Sequence, residues 1–129
     1  MSRLIVLFMT IIALSLAACG MGSTTITLTD QDDGRAVELR SGDRLEVTLP
    51  GNPTTGYNWV ALPLDKPILK QIGEPEFKAD SSALGAGGKI TLRFEAVSAG
   101  QTALQLAYRR SWETGVPPAK TFKVNILVK

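Results

Sequence analysis

From Thr24 to the end of the chain, apolar residues recur at every second position. Ile26 and Leu28 alternate with polar neighbours, as do Val37 and Leu39, then Leu45, Val47 and Leu49. Tyr57 and Trp59 form a short aromatic pair of the same spacing. Ile90, Leu92, Phe94 and Ala96 alternate cleanly, followed by Leu104, Leu106 and Tyr108, and finally Phe122, Val124, Ile126 and Val128. A period of two places one set of side chains on one face of a strand, so each run predicts a strand with a buried face. The separators are turn chemistry: Asp33-Gly34, Ser41-Gly42-Asp43, Ala99-Gly100 and Gly115-Val116-Pro117-Pro118. No helix of ordinary length is visible. Residues 62–75 carry Pro63, Pro67 and Pro75, which points to irregular chain with one strand near residues 68–72. The expected fold is all-β: an Ig-like antiparallel β-sandwich of about seven to eight strands.

The start of the chain follows another rule. Met1-Ser2-Arg3 is short and positive, residues 4–16 are apolar except for Thr10 and Ser15, and Leu16-Ala17-Ala18-Cys19 follows. A membrane span needs about 20 apolar residues, so this pattern reads as a secretory signal. Leu16-Ala17-Ala18-Cys19 resembles a bacterial lipoprotein box, in which the Cys is lipidated and becomes the mature N-terminus. The single Cys of the chain stands at the required place. The expected organisation is a removed signal peptide over residues 1–18, a lipidated Cys19 with a polar tether over 19–24, and one domain over 25–129. The expected location is the bacterial cell envelope, anchored by lipid. Gly20, rather than Asp, after the Cys resembles the outer-membrane sorting pattern, so the outer membrane is the expected site.

Composition narrows the chemistry. Losing residues 1–18 removes only Arg3 among the charged groups, so the net charge of +2 falls by one. Such balance argues against a nucleic-acid footprint. The chain has no His and one Cys, which excludes Ser–His–Asp and Cys–His nucleophile systems and His/Cys zinc sites. Asp30, Asp32 and Asp33 cluster, but Thr29-Asp30-Gln31-Asp32-Asp33-Gly34 lacks the spacing of a calcium loop and reads as a hairpin turn. The chain is expected to be no enzyme, to need no cofactor or metal, and to be a monomer.

Three segments exceed what strand connection needs. The first is Asn52-Pro53-Thr54-Thr55-Gly56, leading into Tyr57-Asn58-Trp59. Pro53 fixes its own φ, Gly56 permits a left-handed exit, and the turn carries two hydroxyls. A loop that is stiff beforehand loses little entropy on docking. The second runs roughly over residues 78–88 and ends Leu84-Gly85-Ala86-Gly87-Gly88. The third follows Tyr108 as Arg109-Arg110-Ser111-Trp112-Glu113. In an Ig-like order these are the B–C, D–E and F–G loops, which cluster at one end of a sandwich.

Together the three segments resemble the chagasin family of cysteine-peptidase inhibitors. That family carries an Asn-Pro-Thr-Thr-Gly-aromatic-x-Trp loop, a Gly-x-Gly-Gly loop before a long strand, and an Arg-Pro-Trp loop. Here the first is complete, the second is Gly85-Ala86-Gly87-Gly88, and the third is Arg110-Ser111-Trp112, with Ser111 where the family usually has Pro. The resemblance implies a reversible, non-covalent inhibitor of papain-like cysteine peptidases. Asn52, Pro53, Thr54, Thr55 and Gly56 would wedge over the catalytic Cys–His pair. Gly85, Ala86, Gly87 and Gly88 would lie along one side of the cleft, and Arg110 and Trp112 along the other. Tyr57 and Trp59 are expected to support the core, and Arg109 stays outside the site. Taken singly, each segment could be a plain connector. The alternatives are a structural or adhesive Ig-like envelope lipoprotein and a carbohydrate-binding module.

Overall fold

The computed structural model describes residues 22–129. The predicted signal, Cys19 and the first part of the tether therefore lie outside the described residues. Nine strands follow one another: β1 (Thr25–Thr29), β2 (Ala36–Leu39), β3 (Arg44–Gly51), β4 (Tyr57–Ala61), β5 (Leu69–Gln71), β6 (Glu76–Ala79), β7 (Gly88–Ala96), β8 (Gly100–Arg110) and β9 (Lys120–Val128). They form two sheets. One is ordered β1-β3-β7, with β5 and β6 both paired to the far side of β7. The other is ordered β2-β9-β8-β4.

The alternating apolar residues meet between the sheets. Leu28, Leu45, Val47, Leu49, Ile90, Leu92 and Phe94 come from the first sheet, and Val37, Leu39, Leu104, Leu106, Val124, Ile126 and Val128 from the second; all are buried. Each such side chain contributes about 1.5–3 kcal/mol relative to exposure, which is why the pattern fixes which face turns inward. The long pair β8–β9 and the pair β3–β7 carry most of this surface in antiparallel register, with Leu104 opposite Val124 and Val47 opposite Leu92.

The all-β sandwich agrees with the pattern, and three details differ from it. β1 pairs with β3, and β2 with β9, in parallel. Alternation is identical for parallel and antiparallel strands, so the period could not show this. Residues 29–34 form no hairpin. The short 3₁₀ turn Asp30–Asp32 instead carries the chain from β1 in one sheet to β2 in the other. The aspartates hold that crossing: Thr29 N–H donates to Asp32 (2.8 Å), Arg35 pairs with Asp32 (2.5 Å), and Lys123 N–H donates to Asp33 (2.8 Å). Their carboxylates serve the backbone. Finally, β5 falls within the strand expected near residues 68–72, and one further edge strand, β6, brings the count among the described residues to nine; β6 extends to Ala79, so the second loop begins later than its sequence implies.

Candidate functional site

The loop between β3 and β4 is closed on itself. Asn52 is extended (φ −142°, ψ 93°), Pro53–Thr55 form one 3₁₀ turn, and Gly56 ends it in the left-handed region (φ 84°). The Asn52 side-chain oxygen accepts from Thr54 N–H (3.1 Å) and from the Thr54 hydroxyl (2.5 Å). The Thr55 hydroxyl donates to the Asn52 carbonyl (2.6 Å), and Gly56 N–H donates to the Pro53 carbonyl (2.9 Å). Asn52 is thus the N-cap of the turn, a position that favours Asn for this geometry. Both hydroxyl protons are used inside the loop. What Thr54 and Thr55 present outward is oxygen lone pairs.

An aromatic stack anchors this turn to the sandwich. Trp59 is buried and its indole N–H donates to the Pro50 carbonyl (3.0 Å). Tyr108 faces Trp59 across the β4–β8 pair, and its ring lies 5.1 Å from both Trp59 and Tyr57. Its hydroxyl accepts from Asn52 N–H (2.8 Å). The expected supporting role of Tyr57 and Trp59 is what the packing shows. Tyr108, at the centre, was visible in sequence only as one more alternating apolar position.

The other two loops are bonded to the first. The Asn52 amide donates to the Gly85 carbonyl (3.0 Å), which joins the second loop. That loop folds on itself through Asp80 N–H to the Gly87 carbonyl (3.0 Å) and Ala86 N–H to the Ala83 carbonyl (3.2 Å). Gly85, Ala86 and Gly87 lie in the loop. Gly88 is buried in the sheet, between Gly51 of β3 and Ala79 of β6, where a Cβ would collide with the Lys78 carbonyl. Its contribution is therefore to shape, because only Gly lets these backbones approach. Leu84, next to the glycines, is fully exposed. It was not singled out in sequence, although an apolar residue inside a polar, Gly-rich stretch is a readable signal.

On the opposite flank, Arg110 Nε donates to the Thr55 carbonyl (3.0 Å), and its guanidinium reaches Glu113 (3.2 Å). Arg110 stands opposite Tyr57 in register, and its guanidinium carbon lies 4.4 Å above the Tyr57 ring and 5.8 Å from the Trp112 ring. Trp112 is 66% exposed, in contrast to Trp59. Its indole leans on Gly56, at the place a Cβ on that residue would occupy. Arg109 points to the other face and is exposed. The structure brings Asn52, Pro53, Thr54, Thr55, Gly56, Gly85, Ala86, Gly87, Arg110 and Trp112 to one end of the sandwich, with Gly88 beneath them. Cys19 lies outside the described residues.

The arrangement has no nucleophile–base pair. It is a projecting wedge flanked by an apolar tip on one side and a cation with an indole on the other. Comparison with known proteins agrees with this geometry. Residues 38–126 match the family described as Chagasin family peptidase inhibitor I42. Amoebiasin-1 of Entamoeba histolytica is 30% identical over 105 residues, covering 78% of this chain and 99% of that protein. Chagasin of Trypanosoma cruzi is 32% identical over 89 residues, covering 66% of this chain and 81% of that protein. The crystal structure of the cysteine protease inhibitor EhICP2 from Entamoeba histolytica shares the fold, with a TM-score of 0.73 and 22% identity over 85% of this chain and 100% of that one.

Proposed function

This chain belongs to the chagasin family of peptidase inhibitors, and we propose that its three-loop end closes the active-site cleft of papain-like cysteine peptidases. Inhibition is reversible and involves no covalent step. The observation that carries this reading is the bonding between the loops: Asn52 to Gly85, and Arg110 to Thr55. Three segments far apart in sequence form one face before any partner arrives. Pre-organisation of this kind lowers the entropy lost on docking.

Residues 52–56 are the wedge. With both Thr protons committed to Asn52, the outward lone pairs suit the protonated His of a Cys–His ion pair better than its thiolate. The backbone of Gly85, Ala86 and Gly87 is free of bulky side chains and fits close pairing along a cleft wall. Leu84 places an apolar side chain beside it. Trp112 supplies a large rigid contact on the other wall, and Arg110 holds Trp112 and the wedge together while keeping its charge half-exposed. A sugar-binding surface would need an open aromatic platform. Here Tyr57, Trp59 and Tyr108 are stacked on one another, and Trp112 is the exposed ring of the three-loop end.

We further propose that Cys19 carries lipid and that the protein resides in the bacterial cell envelope, at the outer membrane, as a monomer. The signal-like residues 1–18 and the single Cys support this reading. Mass spectrometry of membrane-extracted protein tests it; a mature N-terminus without lipid ends it.

A titration of the protein against papain tests inhibition, and a parallel titration against an enzyme whose catalytic Cys is replaced by Ala tests the mechanism. Both should bind, because losing one charged hydrogen bond costs only about 1.5–3 kcal/mol. After long incubation with active enzyme, residues 52–57 should remain uncut. Loss of all binding to the mutant enzyme, or stoichiometric cleavage in the wedge, would show a substrate-like or covalent inhibitor.

A further inference from the structure

The chain enters the sandwich at the pole opposite the three loops. β1 runs parallel to β3, with Thr25 beside Arg44 and Thr29 beside Thr48. β3 ends at Gly51, directly before the wedge. Thr25 therefore lies at the far end of β3, and its eight residues at roughly 3.3 Å each put about 25 Å between that point and the loops. The entry point is pinned. Thr24 N–H donates to one Asp43 carboxylate oxygen (3.0 Å), and Arg40 N–H donates to the other (2.9 Å). The Thr24 carbonyl accepts from Arg44 N–H (2.8 Å). Residues 19–24, fully extended, span at most about 20 Å. A lipid on Cys19 cannot be carried round to the loop end.

The distribution of exposed apolar side chains adds a second constraint. Leu84, Trp112 and Val116 project from the loop end, and Val97 is the large apolar residue exposed at the entry pole. Around the entry pole stand Arg40, Arg44 and Lys129 with Glu38 and Glu95, and Lys129 pairs with Glu38 (2.7 Å). Among the described residues that pole has mixed charge, with Val97 as its exposed large apolar side chain. The surface that a bilayer would take up is the one held farthest from it.

We propose that the anchored molecule stands with its three-loop end turned away from the bilayer, and that it captures a peptidase arriving from the aqueous side without leaving the membrane. This rests on the readings above of Cys19 as the lipid site and of the loops as the inhibitory face. The test uses the lipidated protein, inserted from detergent into the outer leaflet of preformed phosphatidylcholine vesicles that contain a headgroup-labelled energy-transfer acceptor lipid. With Cys19 acylated, Leu84→Cys and Val97→Cys variants each offer one thiol for a fluorescent label. Energy transfer to the headgroup acceptor should quench the label at position 97 more strongly than the label at 84. Papain inhibition by the unlabelled protein should differ between vesicles and detergent by less than about tenfold, the lower end of the range over which on-rates vary within one interface. Equal or stronger quenching at 84 overturns the proposal. So does inhibition in detergent that disappears in vesicles, or failure of the protein to float with vesicles. Absence of inhibition in both settings overturns the inhibitory reading instead, while the quenching pattern still decides the orientation.

Discussion

The indole of Trp112 lies across Gly56, in the space that a side chain on residue 56 would need. Two functional loops are thus fitted together at a glycine whose φ of 84° already disfavours any other residue. Gly56→Ala should strain the backbone and expel the indole. The left-handed strain alone costs about 1–3 kcal/mol. Thermal melting should register that loss, and inhibition should weaken further because Trp112 is displaced. In a double-mutant cycle with Trp112→Ala, the two changes should be less than additive in binding. Strict additivity would mean that the ring does not depend on the glycine.

The two tryptophans should separate function from stability. Trp112→Ala should weaken peptidase binding by about 2–4 kcal/mol, the range of a desolvated anchor, with the fold retained. Trp59→Ala should instead destabilise the domain by roughly 3–5 kcal/mol, as for a buried large aromatic. Inhibition and melting measured on both variants check this. Unfolding by Trp112→Ala would mean that its role was structural.

Asn52→Ala removes the cap of the 3₁₀ turn and the bond to Gly85 together. Loss of such a cap costs about 0.5–2 kcal/mol. The sandwich core should be intact, because Asn52 lies outside it. The change should show mainly as faster dissociation of the peptidase complex, as the first and second loops lose their connection. Unaltered dissociation would show that the loops hold their positions without this amide.

Ser111 begins the turn that Glu113 N–H closes on the Arg110 carbonyl (3.3 Å). Arg110 before it is in a strand, the conformation that a following proline favours. Ser111→Pro should raise stability by about 0.4–1 kcal/mol by restricting the unfolded chain. Inhibition should hold or tighten. Here the Arg110–Glu113 pair performs part of the stiffening, so Glu113→Ala should harm the parent more than the Ser111→Pro variant. Equal harm in both backgrounds would remove that role from Glu113.

Acid sensitivity should follow three aspartates. Asp43 is held below its ordinary value of 3.8 by the backbone N–H groups of Arg40 and Thr24, Asp32 by Thr29 N–H and then Arg35, and Asp65 by the Thr102 hydroxyl. Each carboxylate is favoured in its charged form by the folded state. Their stabilisation is complete above the unfolded value and disappears as pH falls through the lower folded values. With no His in the chain, no side chain of ordinary pKa titrates between pH 6 and 8. The melting temperature should be flat from about pH 5 to 8 and fall only in stronger acid. A step near pH 6.5 would contradict this.

Much of this protein is decided by local pattern. Alternation at Ile90, Leu92 and Phe94, or at Phe122, Val124 and Ile126, names the buried face of each strand without knowledge of its partner, because burial depends only on which side a residue faces. Pro53 and Gly56 constrain φ locally, so the shape of the wedge was legible too. Partner and direction were not. Parallel and antiparallel strands alternate alike, so β1 beside β3 and β2 beside β9 emerged only when the sheets assembled. Nothing near Asn52 reveals that its amide meets Gly85, and nothing near Arg110 reveals Thr55. Those contacts span 33 and 55 residues, and they exist because the sandwich brings the ends of β3, β7 and β8 to one pole. The same topology sends the start of β1 to the other pole. The sequence carried the three loops; tertiary structure made them one surface, because distances between strand ends depend on pairing and not on local preference.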